Sequence, residues 1–167
     1  MNKNNFIKNN LGVTLIETIV ALSILTTGII SALALITSSI SYSQSSEQAI
    51  VVVNLAREGL EIVRSVRELQ GFSALESGGR LANINYINGG LELLMADNSN
   101  IKNCSNCFLE FYNGRYLHNS PSEPSVFKRL ITVTNISATE KNVVSQVYWT
   151  ERGREHSFIL EENLTDW

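Results

Sequence analysis

The sequence has few cysteines and prolines, two of each in 167 residues, and it lacks an excess of basic charge. Its formal net charge is −3, and its thirteen lysines and arginines are scattered along the chain, so nucleic acid is not implied as a partner. It also lacks a glycine-rich phosphate loop, a nucleophile elbow and a pair of catalytic carboxylates. No residue is therefore assigned to an enzymatic reaction, a metal or a cofactor. The length suits one globular domain plus one long accessory segment.

Charge is absent from a long N-terminal stretch. No charged side chain lies between Thr18 and Ser46, and residues 13–36 are mostly Val, Ile, Leu and Ala. As a helix, this stretch can cross the hydrocarbon core of a bilayer, which is about 30 Å thick. Lys3 and Lys8 precede it, with no acidic residue before Glu17, and the positive-inside rule then keeps the N-terminus in the cytoplasm. The sequence predicts a single-pass protein of the cytoplasmic (inner) membrane whose C-terminal part is exported.

Proline is also absent from residues 14–70, so nothing forces the chain out of a helix before Gly71. A helix from residue 13 to residue 69 would be about 85 Å long, far more than a membrane requires. The serine-rich segment 37–46 contains neither Gly nor Pro and is interpreted as helix rather than linker. We therefore divide this part of the chain into a basic processing segment, 1–12, a membrane helix, 13–40, and an amphipathic continuation, 41–70.

The outer half of this helix has a wide apolar face that requires a packing partner. Its apolar positions follow helical spacing in two adjoining stripes: Val52, Leu55, Gly59, Ile62, Val66 and Leu69, beside Ala49, Val53, Ala56, Leu60 and Val63. The opposite face carries the i,i+4 pairs Arg57–Glu61 and Arg64–Glu68 and is predicted to be solvated.

Beyond Gly71 the pattern becomes alternating and is typical of β-structure. Asn113-Gly114 predicts a hairpin between 107–112 and 115–118, because both positions of a type I′ turn need positive φ. Residues 127–136, 143–150 and 155–161 predict three closing antiparallel strands, the last two joined around Arg152-Gly153. The predicted fold class is α+β: residues 71–167 form an antiparallel sheet domain that packs on the outer half of the helix.

One motif lies where the basic segment meets the apolar run: Gly12 is followed by Val13-Thr14-Leu15-Ile16-Glu17. A glycine offers the extended, unhindered backbone that a peptidase cleft grips. An acidic side chain inside a bilayer helix costs roughly 2.5–3.5 kcal/mol when central, so Glu17 needs a partner or a task. Two alternatives are a signal anchor with Glu17 at the headgroup boundary and a secretory signal peptide. The second is disfavoured because the apolar run is too long and opens with a carboxylate.

This motif strongly resembles the processing site of type IV prepilins. The resemblance implies that a prepilin peptidase cuts after Gly12 and methylates the amine of Val13, where most members of the family have Phe. It also implies that Glu17 meets the N-terminal amine of a neighbouring subunit and sets the stagger between subunits. The match covers about 40 residues. Weaker likeness in FKRLITVTNI and the closing VYWTERGREHSFILEENLTDW points to minor pilins of the PilV type and to I-type pseudopilins.

Cys104 and Cys107 lie in the part predicted to be exported, where a disulfide is permitted. A small structural disulfide, free thiols and a metal site are the alternatives, and the metal site lacks a second ligand pair. No cysteine follows Cys107, so the longer C-terminal disulfide loop of major pilins is missing, which favours a minor subunit.

The remaining polar and aromatic residues are interpreted as structural. His118 and His156 fit no catalytic or metal-ligand spacing and are taken as surface or strand residues. The aromatic residues Tyr148, Trp149 and Phe158 are expected to pack the sheet, whereas Trp167 is a weak candidate for a partner contact.

The sequence thus predicts a non-enzymatic minor pilin-like subunit. The resemblance implies as partners the prepilin peptidase, other pilins or pseudopilins, a membrane assembly platform and, before assembly, the lipid bilayer. The mature protein would then enter an extracellular or periplasmic filament. The alternatives are a pseudopilin of a type II secretion or DNA-uptake machine and a filament-tip binding module.

Overall fold

The computed structural model describes residues 14–166. Helix α1 runs from Leu15 to Gln70 without a break, so the serine-rich segment is helical, as predicted. The helix ends at Gly71, which adopts φ 90°, and a short 3₁₀ helix, Phe72–Ala74, follows. A residue with a side chain would be strained at that φ, and the glycine therefore permits the change of direction.

Seven strands follow the helix and form one antiparallel sheet. They are β1 (Gly78–Ile84), β2 (Leu91–Met95), β3 (Phe108–Tyr112), β4 (Arg115–Leu117), β5 (Pro124–Asn135), β6 (Glu140–Glu151) and β7 (Arg154–Thr165). The α+β prediction is confirmed, and so are the three closing strands.

Strand β5 is the centre of the sheet. One edge of it pairs with β6 from Phe127 to Asn135, and β6 in turn pairs with β7. The other edge is shared by β3 and β1, each of which carries a hairpin partner, β4 or β2. Both predicted hairpin turns are present: Asn113 and Gly114 have φ 49° and 81°, and Arg152 and Gly153 have φ 50° and 75°.

The chain divides after Ser46 into two compact units. In the second unit, the helix buries one face against the sheet through Val52, Leu55, Ala56, Gly59, Leu60, Ile62, Val63 and Val66. Their spacing matches the middle of the predicted apolar face, whereas Val53 is half-buried and Ala49 and Leu69, at the two ends, are exposed. Leu69 is 75% exposed, because the chain turns at Gly71 and Leu75, which is fully buried, closes the core instead.

The sheet is covered on both faces around β5. On the helix-facing side, Ile131 and Val133 join the core around Val63. On the opposite side, Leu130 packs with Leu81 and with three residues of the segment between β2 and β3, Ile101, Cys104 and Cys107. Strand β5 therefore shows an unbroken run of buried residues from Phe127 to Ile131.

Neither predicted charge pair, Arg57–Glu61 or Arg64–Glu68, forms in the described residues. Arg64 contacts Glu61 and, on β7, Glu162, at 2.7 Å between Nη2 and Oε2, rather than Glu68. Glu162 lies on the face of β7 that meets the helix, so it draws the guanidinium towards the sheet. Hydrogen bonding to Glu162 raises the pKa of Arg64, and this side of the helix is only partly solvated.

Candidate functional site

Glu17 lies in the first turn of α1. Its backbone N–H donates to the carbonyl oxygen of Thr14 at 3.0 Å and approaches the Thr14 hydroxyl at 3.4 Å. A carboxylate at this end of a helix interacts favourably with the helix dipole. The side chain is exposed, and Glu17 is the only Asp, Glu, Lys or Arg between Thr14 and Ser46. A lone, accessible carboxylate thus marks the start of the apolar segment.

The other predicted processing residues cannot be placed beside it. Gly12 and Val13, the predicted cleavage and methylation positions, lie outside the described residues, as do the leader 1–12 and Trp167.

The apolar half of α1 exposes its large side chains. Leu15, Ile24, Ile30 and Leu35 are each at least 67% exposed, and no residue from 14 to 40 is buried. By its length and composition, helix α1 can cross a membrane. Such a surface is costly in water and favourable in lipid or against other apolar helices.

Most hydroxyl groups of the same segment donate to carbonyl oxygens of the helix itself. Ser23, Thr27 and Ser31 each donate to the carbonyl oxygen four residues earlier, at 2.8 Å. Thr18 and Thr37 donate three residues back, at 2.7 and 3.0 Å. Because each of these hydroxyls already has an acceptor, lipid contact does not leave it unpaired.

A second candidate region is the segment between β2 and β3. Cys104 and Cys107 are joined by a disulfide with a Cα–Cα distance of 5.4 Å, and both residues are fully buried. The Asp97 carboxylate accepts hydrogen bonds from Ser105 and Asn106, and these bonds, the Ser105 side chain first, lower the pKa of Asp97. The amide oxygen of Asn106 in turn accepts from the N–H of Asp97.

The ammonium group of Lys128 fastens this segment to the outer face of β5. It donates to the carbonyl oxygens of Ile101, Lys102 and Cys104 at 3.3, 2.8 and 2.9 Å. Three sets of contacts therefore hold the residues 96–107: the disulfide closes the last turn, 104–107, Asp97 binds Ser105 and Asn106, and Lys128 binds the carbonyl oxygens of residues 101, 102 and 104. We call the residues 96–107 the fastened loop.

The helix-facing side of β5 carries a second buried cation, Arg129. Its guanidinium donates to the carbonyl oxygens of Leu55 and Ala82 at 3.1 and 2.6 Å and pairs with Glu58 at 3.1 Å. His118 is also fully buried, and its Nδ1 lies 3.0 Å from the carbonyl oxygen of Phe108. Burial, and then the Arg129 charge, lower the pKa of His118 to about 3, so this histidine is neutral at ordinary pH.

The sequence did not identify Lys128, Arg129 or Asp97 as structural residues. The sequence does contain a signal for Lys128 and Arg129, because this pair of cations interrupts an otherwise apolar strand. His118, which directly follows β4, is buried rather than on the surface, and it forms hydrogen bonds with the Asn83 side chain and the Phe108 carbonyl oxygen. His156 lies beside Trp149, with ring centroids 5.2 Å apart. Within residues 14–166, no three His, Cys, Asp or Glu side chains are grouped as metal ligands.

No protein-family model, curated protein or solved structure matches this chain.

Proposed function

We propose that this chain is a structural subunit of a type IV pilus-like filament, of the minor pilin kind. In this proposal, a prepilin peptidase removes residues 1–12 and methylates Val13, and the bilayer holds the apolar helix until an assembly platform moves the subunit into the filament. The observation that carries the proposal is the apolar half of α1, exposed throughout and bearing a single carboxylate, Glu17, in its first turn.

Three physical features support a helix that is transferred from lipid to a protein assembly. The exposed side chains suit either environment, and the hydroxyls of Ser23, Thr27 and Ser31 need no external partner in either. The third feature is Glu17, which is unfavourable in lipid unless an ammonium group neutralises it. The amine of a processed neighbour provides such a group, so subunits associate in one register.

The exported part serves in this proposal as a rigid head. The outer half of the helix and the sheet bury a shared core, and two charged side chains also bind the helix, the buried Arg129 of β5 and the partly exposed Glu162 of β7. A pseudopilin of a secretion or DNA-uptake machine would use the same helix and the same processing. The identity of the neighbouring genes distinguishes these two machines.

Glu17→Gln tests the proposal because it keeps the size and polarity of the side chain and removes its charge. We expect the intact mass of the variant to show loss of Met1–Gly12 and a methylated Val13, and we expect the head to stay folded. The amount of protein recovered with sheared filaments should fall at least about tenfold, because the ion pair that neutralises a charge in lipid is lost. Glu47→Gln, the next carboxylate along α1, is the matched control and should assemble normally.

Two further outcomes separate the steps. Glu17→Leu should remain stably in the membrane and assemble no better than Glu17→Gln, because apolarity does not replace the ion pair. An unprocessed N-terminus in the wild type, or an N-terminus near residue 40, would contradict the prepilin assignment. Normal assembly of both Glu17 variants would make Glu17 a passive boundary residue.

A further inference from the structure

The outer face of the sheet carries a cavity of about 390 Å³ beside the fastened loop. The loop supplies one wall through Asn100 and Lys102. Strands β6 and β7 supply the floor and the opposite wall through Gln146, Tyr148, Glu155 and Ser157. The volume lies within the range of small-molecule sites.

The wall of the cavity is preorganised. Surface loops are usually mobile, yet the Lys128 ammonium group ties this one to β5 at residues 101, 102 and 104, the Asp97 carboxylate binds Ser105, and the disulfide closes its last turn, residues 104–107. The floor consists of paired strands in continuous register. Ligand binding therefore costs little free energy for ordering the protein, which favours binding even at a small site.

The charged side chains that line the cavity neutralise each other, and several of its polar side chains have hydrogen-bonding groups that are free within the described part of the chain. Lys102 and Glu155 form an ion pair that joins the loop to β7, and each is 55% exposed. Within residues 14–166, no side-chain hydrogen bond engages Gln146 or Ser157. The Asn100 amide oxygen accepts from the N–H of Lys102 at 3.0 Å, which leaves the NH₂ group of that amide as a donor.

The lining also favours one kind of ligand over others. Ile101 is the one aliphatic residue that lines the cavity, which disfavours a lipid chain. The Lys102–Glu155 pair cancels its own charge, which disfavours a strongly charged ligand. Tyr148 adds an aromatic surface, with the Lys102 Nζ 5.8 Å from its ring centroid. An aromatic surface among amides and hydroxyls suits a ring that is apolar on one face and hydroxylated at its edge.

We propose that this cavity binds a neutral pyranose sugar, either free or at the end of a glycan chain. The Tyr148 ring packs against the C–H face of the sugar, and Gln146, Ser157 and the Asn100 amide bind its hydroxyls. The activity goes beyond the structural role proposed above and does not depend on it, since it uses only the outer face of the sheet.

The test is saturation-transfer NMR on the full chain in detergent micelles. The probes are glucose, galactose, mannose and N-acetylglucosamine, each also as its methyl glycoside, at about 10 mM, because so small a contact implies a Kd on the order of 1 mM. At least one probe should receive saturation at its ring C–H protons. Binding of the methyl glycoside indicates a glycan end, whereas binding of the free sugar alone indicates a monosaccharide.

The matched variants are Tyr148→Ala and, as an exposed tyrosine away from the cavity, Tyr86→Ala. Tyr148→Ala should reduce the transfer at least about fivefold, as truncation of an aromatic anchor does, and Tyr86→Ala should leave it unchanged. Because Tyr148 also packs the sheet, Gln146→Ala, which removes only a polar contact, should reduce transfer in a protein with unaltered circular dichroism. No transfer to any probe, or transfer as strong as in the wild type in both Tyr148→Ala and Gln146→Ala, would overturn the proposal. Competition by glycine or phosphate instead of sugars would also overturn it and would indicate a charged ligand.

Discussion

At Gly59 the helix approaches the sheet too closely to leave room for a Cβ, and Gly59→Ala is therefore an informative test of the core. A Cβ at this position would lie 2.8 Å from the Ser145 hydroxyl oxygen, 2.9 Å from the Ile131 Cδ1 and 3.2 Å from the Arg129 Cδ. Optimal separations between carbon atoms are about 3.5–4.0 Å, so the neighbours or the helix must move. Ser145 and Ile131 are fully buried, and Arg129 is held at its guanidinium by two carbonyl oxygens, so little movement is available.

The expected free-energy change combines two opposing effects. Replacing Gly by Ala inside a helix stabilises it by about 0.8–1 kcal/mol. Inserting a methyl group into a filled core costs about 1–3 kcal/mol. We therefore expect Gly59→Ala to lower the free energy of unfolding of the head by about 1 kcal/mol, whereas helix propensity alone predicts a gain of similar size.

The assay is urea unfolding of the full chain in detergent, followed by near-UV circular dichroism. Gly28→Ala is the matched control, because nothing lies within 4 Å of a Cβ at Gly28 in the same helix. It should not destabilise the head. Adding Ser145→Ala to Gly59→Ala should recover part of the loss, since the Ser145 hydroxyl makes the shortest contact and has no hydrogen-bond partner within residues 14–166. A Gly59→Ala protein as stable as the wild type would refute the close contact.

Two further predictions concern the buried histidine and the disulfide. The pKa of His118 is about 3 in the folded state and about 6.5 when unfolded, so the unfolded state binds the extra proton and stability falls as the pH drops from 6.5 towards 3. At pH 5 the loss should be about 2 kcal/mol relative to pH 7, and His118→Gln should abolish most of this difference in urea titrations at the two pH values. A Cys104→Ser, Cys107→Ser double variant should still fold and lose about 2 kcal/mol or less, because the closed loop is short and Asp97 and Lys128 still hold the segment. Thiol labelling of both cysteines in native, unreduced protein would show that the disulfide does not form.

Local patterns were sufficient to predict much of the fold. The apolar stripe around Val63 marked the buried face of the helix because one helix face meets one sheet. Asn113-Gly114 and Arg152-Gly153 located two hairpins, since their turns require positive φ at both central residues. These features depend on residues that are close together in the sequence.

The remaining features depend on contacts between distant segments. Nothing near Lys128 in the sequence shows that its ammonium group is bound by carbonyl groups of residues 101, 102 and 104. Leu69 continues the helical stripe, but whether it is buried depends on where Gly71 turns the chain. Arg64 has two possible partners on its own helix, and its contact with Glu162 arises only when β7 packs against that helix. The cavity near Tyr148 likewise exists only because the fastened loop lies over strands that follow it in the chain.

The burial of cations makes the exposed surface of the head more negatively charged. Of the eleven lysines and arginines in residues 14–166, four are buried, Arg80, Lys128, Arg129 and Lys141, whereas no aspartate or glutamate in that range is. A molecule that touches the head therefore meets a larger excess of carboxylates than the net charge of −3 suggests. Two such heads repel each other at close range, and added salt weakens this repulsion. Lateral contacts between heads are thus favoured by higher ionic strength, and a partner with a basic surface is favoured over a second copy of this chain.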